Sequence, residues 1–339
     1  MKILITGSAG FISGYLVDEL LSHGHSVIGL DNYSKYGYIE KSYDKHPNYT
    51  KVNGDAKDYD LLKQLAEECD QIVASAAMIG GITYFHNFAY DLLAENERIL
   101  ASTFDAAIWA YTKRKLQKIT VLSSSMVYEC ADTFPTVEGD QFKAPPPGST
   151  YGFQKLSCEY FAKGAYEQFQ LPYTIARPFN CIGIGEKRAR FEHEVLSGNV
   201  KLAMSHVVPD LIQKVAKGQD PLHILGKGNQ IRAYTYGGDI AEGIRLCIEK
   251  PEALNEDFNI ASSQPITVLD LAETIWKKIN TTKPFRYVSD DPFPYDVQVR
   301  VASTEKASRL LGFQAKTSLS DALDEVIPWI MEQIRIGNI

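Results

Sequence analysis

KILITGSAGFISGYLVDELLSHGHSVIGLD, residues 2–31, decides the fold. Lys2 to Thr6 is a short apolar strand. Gly7 and Gly10 open a tight turn, and an apolar-periodic helix follows through about His23. Gly24 stops that helix, and Ser26 to Asp31 reads as a second strand. A strand, a glycine turn, a helix and a strand ending in an acid form the arrangement that binds a dinucleotide. The glycines let a pyrophosphate approach backbone N–H groups at the positive end of the helix. Asp31 is placed to accept from a ribose hydroxyl, which favours NAD over NADP. Gly7, Gly10, Phe11, Ile12, Asp31 and Asn32 are therefore candidate cofactor contacts. Ser13 stands at the third glycine position, with Gly14 one residue later, and its hydroxymethyl is expected to push the helix away from the strand.

Outward from this unit the same alternation continues. Tyr49 to Val52 is a third strand, and residues 54–58 cap a helix of roughly 58–68. Asp55 reads either as a contact to the adenine edge or as the helix cap, with Ala56 beside it. Gln71 to Ala77 is a fourth strand. The small residues at its end, Ala76 and Ala77 and then Gly80 and Gly81, leave room for a ligand at the carboxyl edge of a parallel sheet. Gly80 and Gly81 read equally well as a plain loop. A long helix near 91–112 carries Asn96. Lys118 to Ser123 is the fifth strand and runs into Ser124, Ser125, Met126, Val127 and Tyr128. Pro145, Pro146 and Pro147 exclude a helix or central strand before Thr150. Tyr151 to Gln168 is the next helix, and Tyr173 to Arg177 the sixth strand.

The pattern then changes. Glu186 to Ser205 is polar and irregular, with Lys187, Arg188 and Arg190 clustered, and reads as a mobile lid or a solvated excursion. His206 opens a helix, and residues 226–239 join a tight turn to a strand and another helix. The fold class expected is α/β: a Rossmann-type doubly wound parallel sheet with a smaller, interleaved C-terminal substrate lobe. The expected domains are 1–180, with returning segments near 232–262, and 181–339. There are no internal repeats and no low-complexity segments.

Composition narrows the function. The chain has 339 residues, 45% hydrophobic and 23% charged, an ordinary globular balance. A net charge of -7 argues against a general nucleic-acid or anionic-membrane partner. The five cysteines show no metal spacing and read as reduced thiols. The first strand starts at the second residue, with no signal peptide ahead of it and no apolar run long enough to span a bilayer, so a cytoplasmic location is expected. The seven histidines are scattered, and no metal site is expected.

Tyr151 and Lys155 lie four apart on one helical face. A phenol titrates near ~10 in water, and a nearby ammonium favours the phenolate, so such a pair can act as a base near neutral pH. Strand ends five and six and the Tyr151 helix follow one sheet, so their residues meet at its carboxyl edge. There Tyr151 can take a proton from a substrate hydroxyl while hydride leaves the same carbon. Lys155 would hold the nicotinamide ribose, and Ser124 or Ser125 can hydrogen-bond the reacting oxygen.

The whole chain resembles an extended short-chain dehydrogenase/reductase of the nucleotide-sugar epimerase/dehydratase group. The likeness runs through the glycine loop, Asp31, Asp55, Asn96, the 123–128 segment, Tyr151-x-x-x-Lys155, the 177–180 segment, Arg232 and the Val299–Ala307 stretch. It implies that Tyr151, Lys155 and Ser124 are catalytic, with Ser125 and Met126 beside them. It places Asp55, Ala56, Ala76, Ala77, Asn96 and Ser123 with the cofactor contacts above, and NAD as the cofactor. Gly80, Gly81, Asn180, Val207, Arg232 and Arg300 fall on the substrate side, the arginines suited to a pyrophosphate. The substrate implied is a nucleoside-diphosphate sugar. In the family the helices near 91–112 and 151–168 pair into a dimer's four-helix bundle, so a homodimer is expected.

Met126 departs from that pattern. Sugar 4,6-dehydratases carry adjacent acids at Ser125-Met126, and decarboxylating relatives tend to carry an acid at Met126. A thioether neither donates nor accepts a proton. This moves weight to C4 oxidation and return, a 4-epimerisation, with Met126 as an apolar contact. The alternatives are a 4-oxidase or 4,6-dehydratase, and a C3/C5 epimerase, since residues 76–81 resemble the loop of GDP-sugar C3/C5 epimerases. Those enzymes often carry Cys at Met126; Cys130, Cys181, His193 and His206 are candidates to substitute. A non-catalytic nucleotide-binding relative is the third reading, disfavoured by the presence of Tyr151, Lys155 and Asn180.

Overall fold

The computed structural model describes residues 1–79, 88–186, 195–202, 206–280, 282–291 and 297–339. Seven strands form one parallel sheet: β1 (Lys2–Thr6), β2 (Ser26–Asp31), β3 (Tyr49–Asn53), β4 (Gln71–Ala74), β5 (Lys118–Leu122), β6 (Tyr173–Pro178) and β7 (Glu256–Ile260), in spatial order β7-β6-β5-β4-β1-β2-β3. The order reverses direction between β1 and β4, the switch point at which α/β sheets open a crevice. Ile5 sits in register with Gly29 on one side and Val73 on the other.

Successive strand residues face opposite sides. Ile3 and Ile5 enter one core with α1 (Phe11–Ser22), while Leu4 enters another with α2 (Tyr59–Ala66). Helices α3 (Ala89–Lys113) and α4 (Thr150–Phe169) complete the second face. The smaller lobe has its own core, built from α5 (Val207–Ala216), α7 (Val268–Ile279) and α9 (Leu319–Arg335). Between them in sequence, α6 (Gly237–Glu249) and α8 (Glu305–Leu311) return to cover the α1 face of the sheet. The chain thus crosses between the lobes repeatedly, and β7 closes the sheet beside β6, with Glu256 opposite Thr174. Among the described residues no helix is long and apolar enough to cross a membrane.

Three local expectations are modified. Strand β4 ends at Ala74, not Ala77, because the Thr6 hydroxyl takes over from the ladder: it accepts from Ser75 N at 3.2 Å and Ala76 N at 3.1 Å. Ser13 does not hold the helix off the strand. It is buried, and its hydroxyl meets that of Ser75 at 3.0 Å, so the extra atom is absorbed as a hydrogen bond. The cap of α2 is Asp58, whose carboxylate accepts from Leu61 N at 3.1 Å, not Asp55.

Candidate functional site

A cavity of about 1520 Å³ opens along the carboxyl edge of the sheet and reaches into the smaller lobe. It brings together every described candidate residue except Asn96. Gly80, Gly81 and His193 lie outside the described residues.

One end is built by the glycine turn. Gly7 has φ +71°, and a β-carbon there would stand 2.8 Å from the Ala76 Cα, so only glycine lets the β1 turn and the β4 end close together. Gly10 caps α1 with no side-chain hydrogen bond, which leaves first-turn N–H groups directed at the cavity. Phe11, Ile12, Ala56, Ala76 and Ala77 line this end. Asp31 fixes the turn: its carboxylate accepts from Ala9 N at 2.9 Å and from Tyr33 N at 2.7 Å. Asn32 donates to Asp55 at 3.4 Å, so β2 and β3 present a joined polar edge. Asn96 stands behind the wall. Its amide accepts from Met78 N at 2.6 Å and donates to Met78 O at 2.9 Å, pinning the chain just past β4. In this arrangement its amide supports the backbone of a residue that does line the cavity.

The middle of the cavity is formed by the end of β5 and the start of α4. Ser124 caps a short 3-10 turn (Ser125–Tyr128) by accepting from Met126 N at 3.2 Å, which leaves its own O–H to donate. Tyr151 and Lys155 are both buried and both line the cavity. The Lys155 ammonium donates to Leu122 O at 3.0 Å, which locks α4 onto the end of β5. Ser123 lines the wall, yet its hydroxyl turns away and donates to Glu159 at 2.6 Å. Ser125 and Met126 complete this wall, the former buried.

The far end belongs to the smaller lobe. Asn180, at φ +39°, donates to Ala233 O at 2.9 Å and joins β6 to residues 231–233. Arg232 and Arg300 are register partners on parallel neighbouring strands and both line the cavity, as does Val207. The Arg232 fork donates to Ile231 O at 2.9 Å and to Gln298 O at 3.2 Å, which ties it to the chain leading into the Arg300 strand. Cys130, Cys181 and His206 also reach the cavity. His206 pairs with Glu186, whose charge holds the imidazole above its usual range. Burial works to raise Glu186, but the His206 charge outweighs it and the carboxyl is lowered. Burial pushes the Cys181 thiol well up, with Glu186 adding to it, which makes it a poor proton donor. Among the described residues no group of His, Cys, Asp and Glu could hold a metal ion.

Sequence reasoning missed two carboxylates. Glu159 lies four residues past Lys155 on the same helical face and was recoverable from that spacing. Glu129 carries no pattern of its own; only the fold brings it to the start of α4, where it accepts from Ser149.

Known proteins share this architecture. The sequence model of the NAD dependent epimerase/dehydratase family matches residues 3–261. An uncharacterized UDP-glucose epimerase of Bacillus subtilis is 27% identical over 339 residues, covering 97% of this chain and 98% of its own. The structure of UDP-glucuronic acid 4-epimerase from Bacillus cereus, in complex with UDP-glucuronic acid and NAD, is 27% identical with a TM-score of 0.81, covering 98% of this chain and 99% of that one. UDP-glucose 4-epimerase from Thermotoga maritima, solved with UDP-glucose, is 25% identical with a TM-score of 0.81, covering 98% and 100%.

Proposed function

This chain belongs to the NAD dependent epimerase/dehydratase family, and from that premise we propose that it is an NAD-dependent epimerase of a nucleoside-diphosphate sugar, acting at C4 through a transient 4-keto intermediate. The observation that carries this reading is the single cavity in which Tyr151, Lys155 and Ser124 stand between a glycine turn and a pair of in-register arginines.

The residues present fit the dinucleotide. The turn that a β-carbon at Gly7 would block, the uncapped start of α1 and the Asp31 carboxylate supply a pyrophosphate cradle and a ribose acceptor. NAD, when bound, supplies the hydride chemistry. The protein handles the proton and the geometry. Tyr151 takes the proton of the C4 hydroxyl and later returns it. Ser124 donates to the same oxygen, and Lys155 holds the nicotinamide ribose. Arg232 and Arg300 grip the pyrophosphate, which leaves the sugar free to turn about that anchor between the two half-reactions. Met126 offers no proton to a leaving C6 hydroxyl, which favours return of hydride over loss of water.

Product analysis tests the reading. Among UDP-, GDP-, CDP- and dTDP-sugars, at least one should give an isomer of unchanged mass. A product lighter by water or by two hydrogens would instead make this a dehydratase or an oxidase, and no turnover of any sugar would remove the catalytic reading altogether. UDP-sugars are the first to try, since the named relatives carry UDP-sugars in their names. Arg232→Met and Arg300→Met should each raise KM for the productive sugar by roughly 10- to 100-fold, the worth of a charged hydrogen bond of about 1.5–3 kcal/mol.

A homodimer belongs to the same proposal. Helices α3 and α4 pack together and leave Tyr90, Phe153 and Tyr160 exposed, with Tyr90 at 77%. Such a face fits a second copy of this chain. Light scattering at micromolar concentration should give the mass of two chains, and the mass of one would refute it.

A further inference from the structure

We propose that Glu129 is a positioning residue that ties the turn carrying Ser124 and Met126 to the first turn of the helix carrying Tyr151; the idea rests on the epimerase reading above. Ser124 and Tyr151 must address one sugar oxygen, yet they come from segments separated by a long loop. That loop, residues 130–148, is too long to hold the register by itself.

The Glu129 carboxylate closes its base. One oxygen accepts from Ser149 N at 3.0 Å and from the Ser149 hydroxyl at 2.8 Å. The same Ser149 oxygen accepts from Gly152 N at 3.0 Å and so caps α4. With its proton committed to Glu129, the Ser149 hydroxyl presents its lone pairs to the helix, and each bond polarises the next. The Cys130 thiol adds a weak contact to Pro146 O at 3.6 Å. Three segments converge on Gly152: a β-carbon there would lie 2.6 Å from Pro147 Cβ, 2.9 Å from the Glu129 carboxylate and 2.9 Å from Met126 O. The start of α4 therefore rests directly on the Ser125–Tyr128 turn because residue 152 has no side chain. Lys155, bonded to Leu122 O, holds the helix on the other side of Tyr151. Tyr151 is thus bracketed by two ties to the β5 end, one of which is Glu129.

The tie makes a distinctive kinetic prediction, because a displacement near 1 Å at a reacting group costs roughly 10²-fold in rate. Glu129→Ala should lower kcat by roughly 10-fold or more with little change in KM. Glu129→Gln should stay within a few-fold of wild type, since an amide oxygen can accept both Ser149 bonds. Ser149→Ala should lower kcat as well, and the Glu129→Ala/Ser149→Ala double variant should be no worse than the poorer single one. Amide hydrogen exchange over residues 149–155 should quicken in Glu129→Ala and not in Glu129→Gln, with or without substrate. Unchanged exchange and kcat in Glu129→Ala would overturn the proposal. So would a Glu129→Gln variant as slow as Glu129→Ala, which would assign the carboxylate charge a direct part in the reaction, or a rise confined to KM, which would make Glu129 a substrate contact. If the wild type turns over no sugar the epimerase reading falls, while the exchange measurement still decides the tie.

Discussion

Tyr151→Phe will leave the fold and NAD binding intact and lower turnover by roughly 10²–10⁴-fold, the usual worth of a positioned acid–base group. The phenol oxygen is the only atom removed. The ring stays buried against the cavity wall, and Lys155 keeps its bond to Leu122 O, so the cofactor side of the site loses little. What disappears is the acceptor that takes the C4 proton in this mechanism. The Ser124 hydroxyl already accepts from Met126 N and is a weak base, Ser123 faces Glu159, and Met126 is inert. Cys181 holds its proton because burial raises it. The measurement is steady-state turnover of the productive sugar together with the NAD content of the purified variant. A loss confined to kcat with NAD retained is expected. Near-wild-type turnover would move the base elsewhere, with the paired His206 the first group to examine.

How much of this was legible before the fold was known depends on the range of each interaction. The β1–turn–α1–β2 unit was readable except for the effect of Ser13, since its signals are local: an apolar strand, a glycine turn and an acid at a strand end. The Tyr151-x-x-x-Lys155 pair was readable for the same reason. Errors arose where a distant side chain intervened. Thr6 shortened β4, and Ser75 accommodated Ser13. Asn96 stands out in the sequence, while the partner its amide meets, the Met78 backbone eighteen residues earlier, is set by the fold. Glu129 was invisible because its importance lies in Ser149, twenty residues on. Arg177 was noted only as part of a matching segment, and its position in the fold gives it a different weight.

Arg177→Met will destabilise the fold by about 3–5 kcal/mol, the cost of leaving a buried charge without its partner. Arg177 is fully buried, as is Glu159, and their forks meet through two bonds of 2.7 and 2.8 Å. The same guanidinium donates to Asp257 at 2.7 Å and to the Tyr128 phenol at 2.9 Å. Methionine fills much of the volume but satisfies none of these groups. Glu159 also receives Ser123 at 2.6 Å and Gln141 at 3.2 Å, so the damage spreads beneath the 123–128 segment that holds Ser124. Replacing both members, as Glu159→Leu with Arg177→Met, should recover part of the loss, because removing a buried pair costs less than orphaning one charge. Acid sensitivity gives a second readout. Burial raises the Asp257 carboxyl, but Arg177 and then Lys306 outweigh it and hold it down to about 2. Its folded value is therefore below the unfolded one near ~3.9. That stabilisation is complete above the unfolded value and fades as pH falls through about 2. Without Arg177 the folded value rises, and acid unfolding should begin at higher pH, with Lys306 at 2.7 Å retaining a share of the effect. Urea denaturation at neutral pH and an acid titration of both variants decide the matter. If Arg177→Met unfolds at the wild-type urea concentration, the network is not what holds β6 to α4, and the floor of the site owes its order to apolar packing alone.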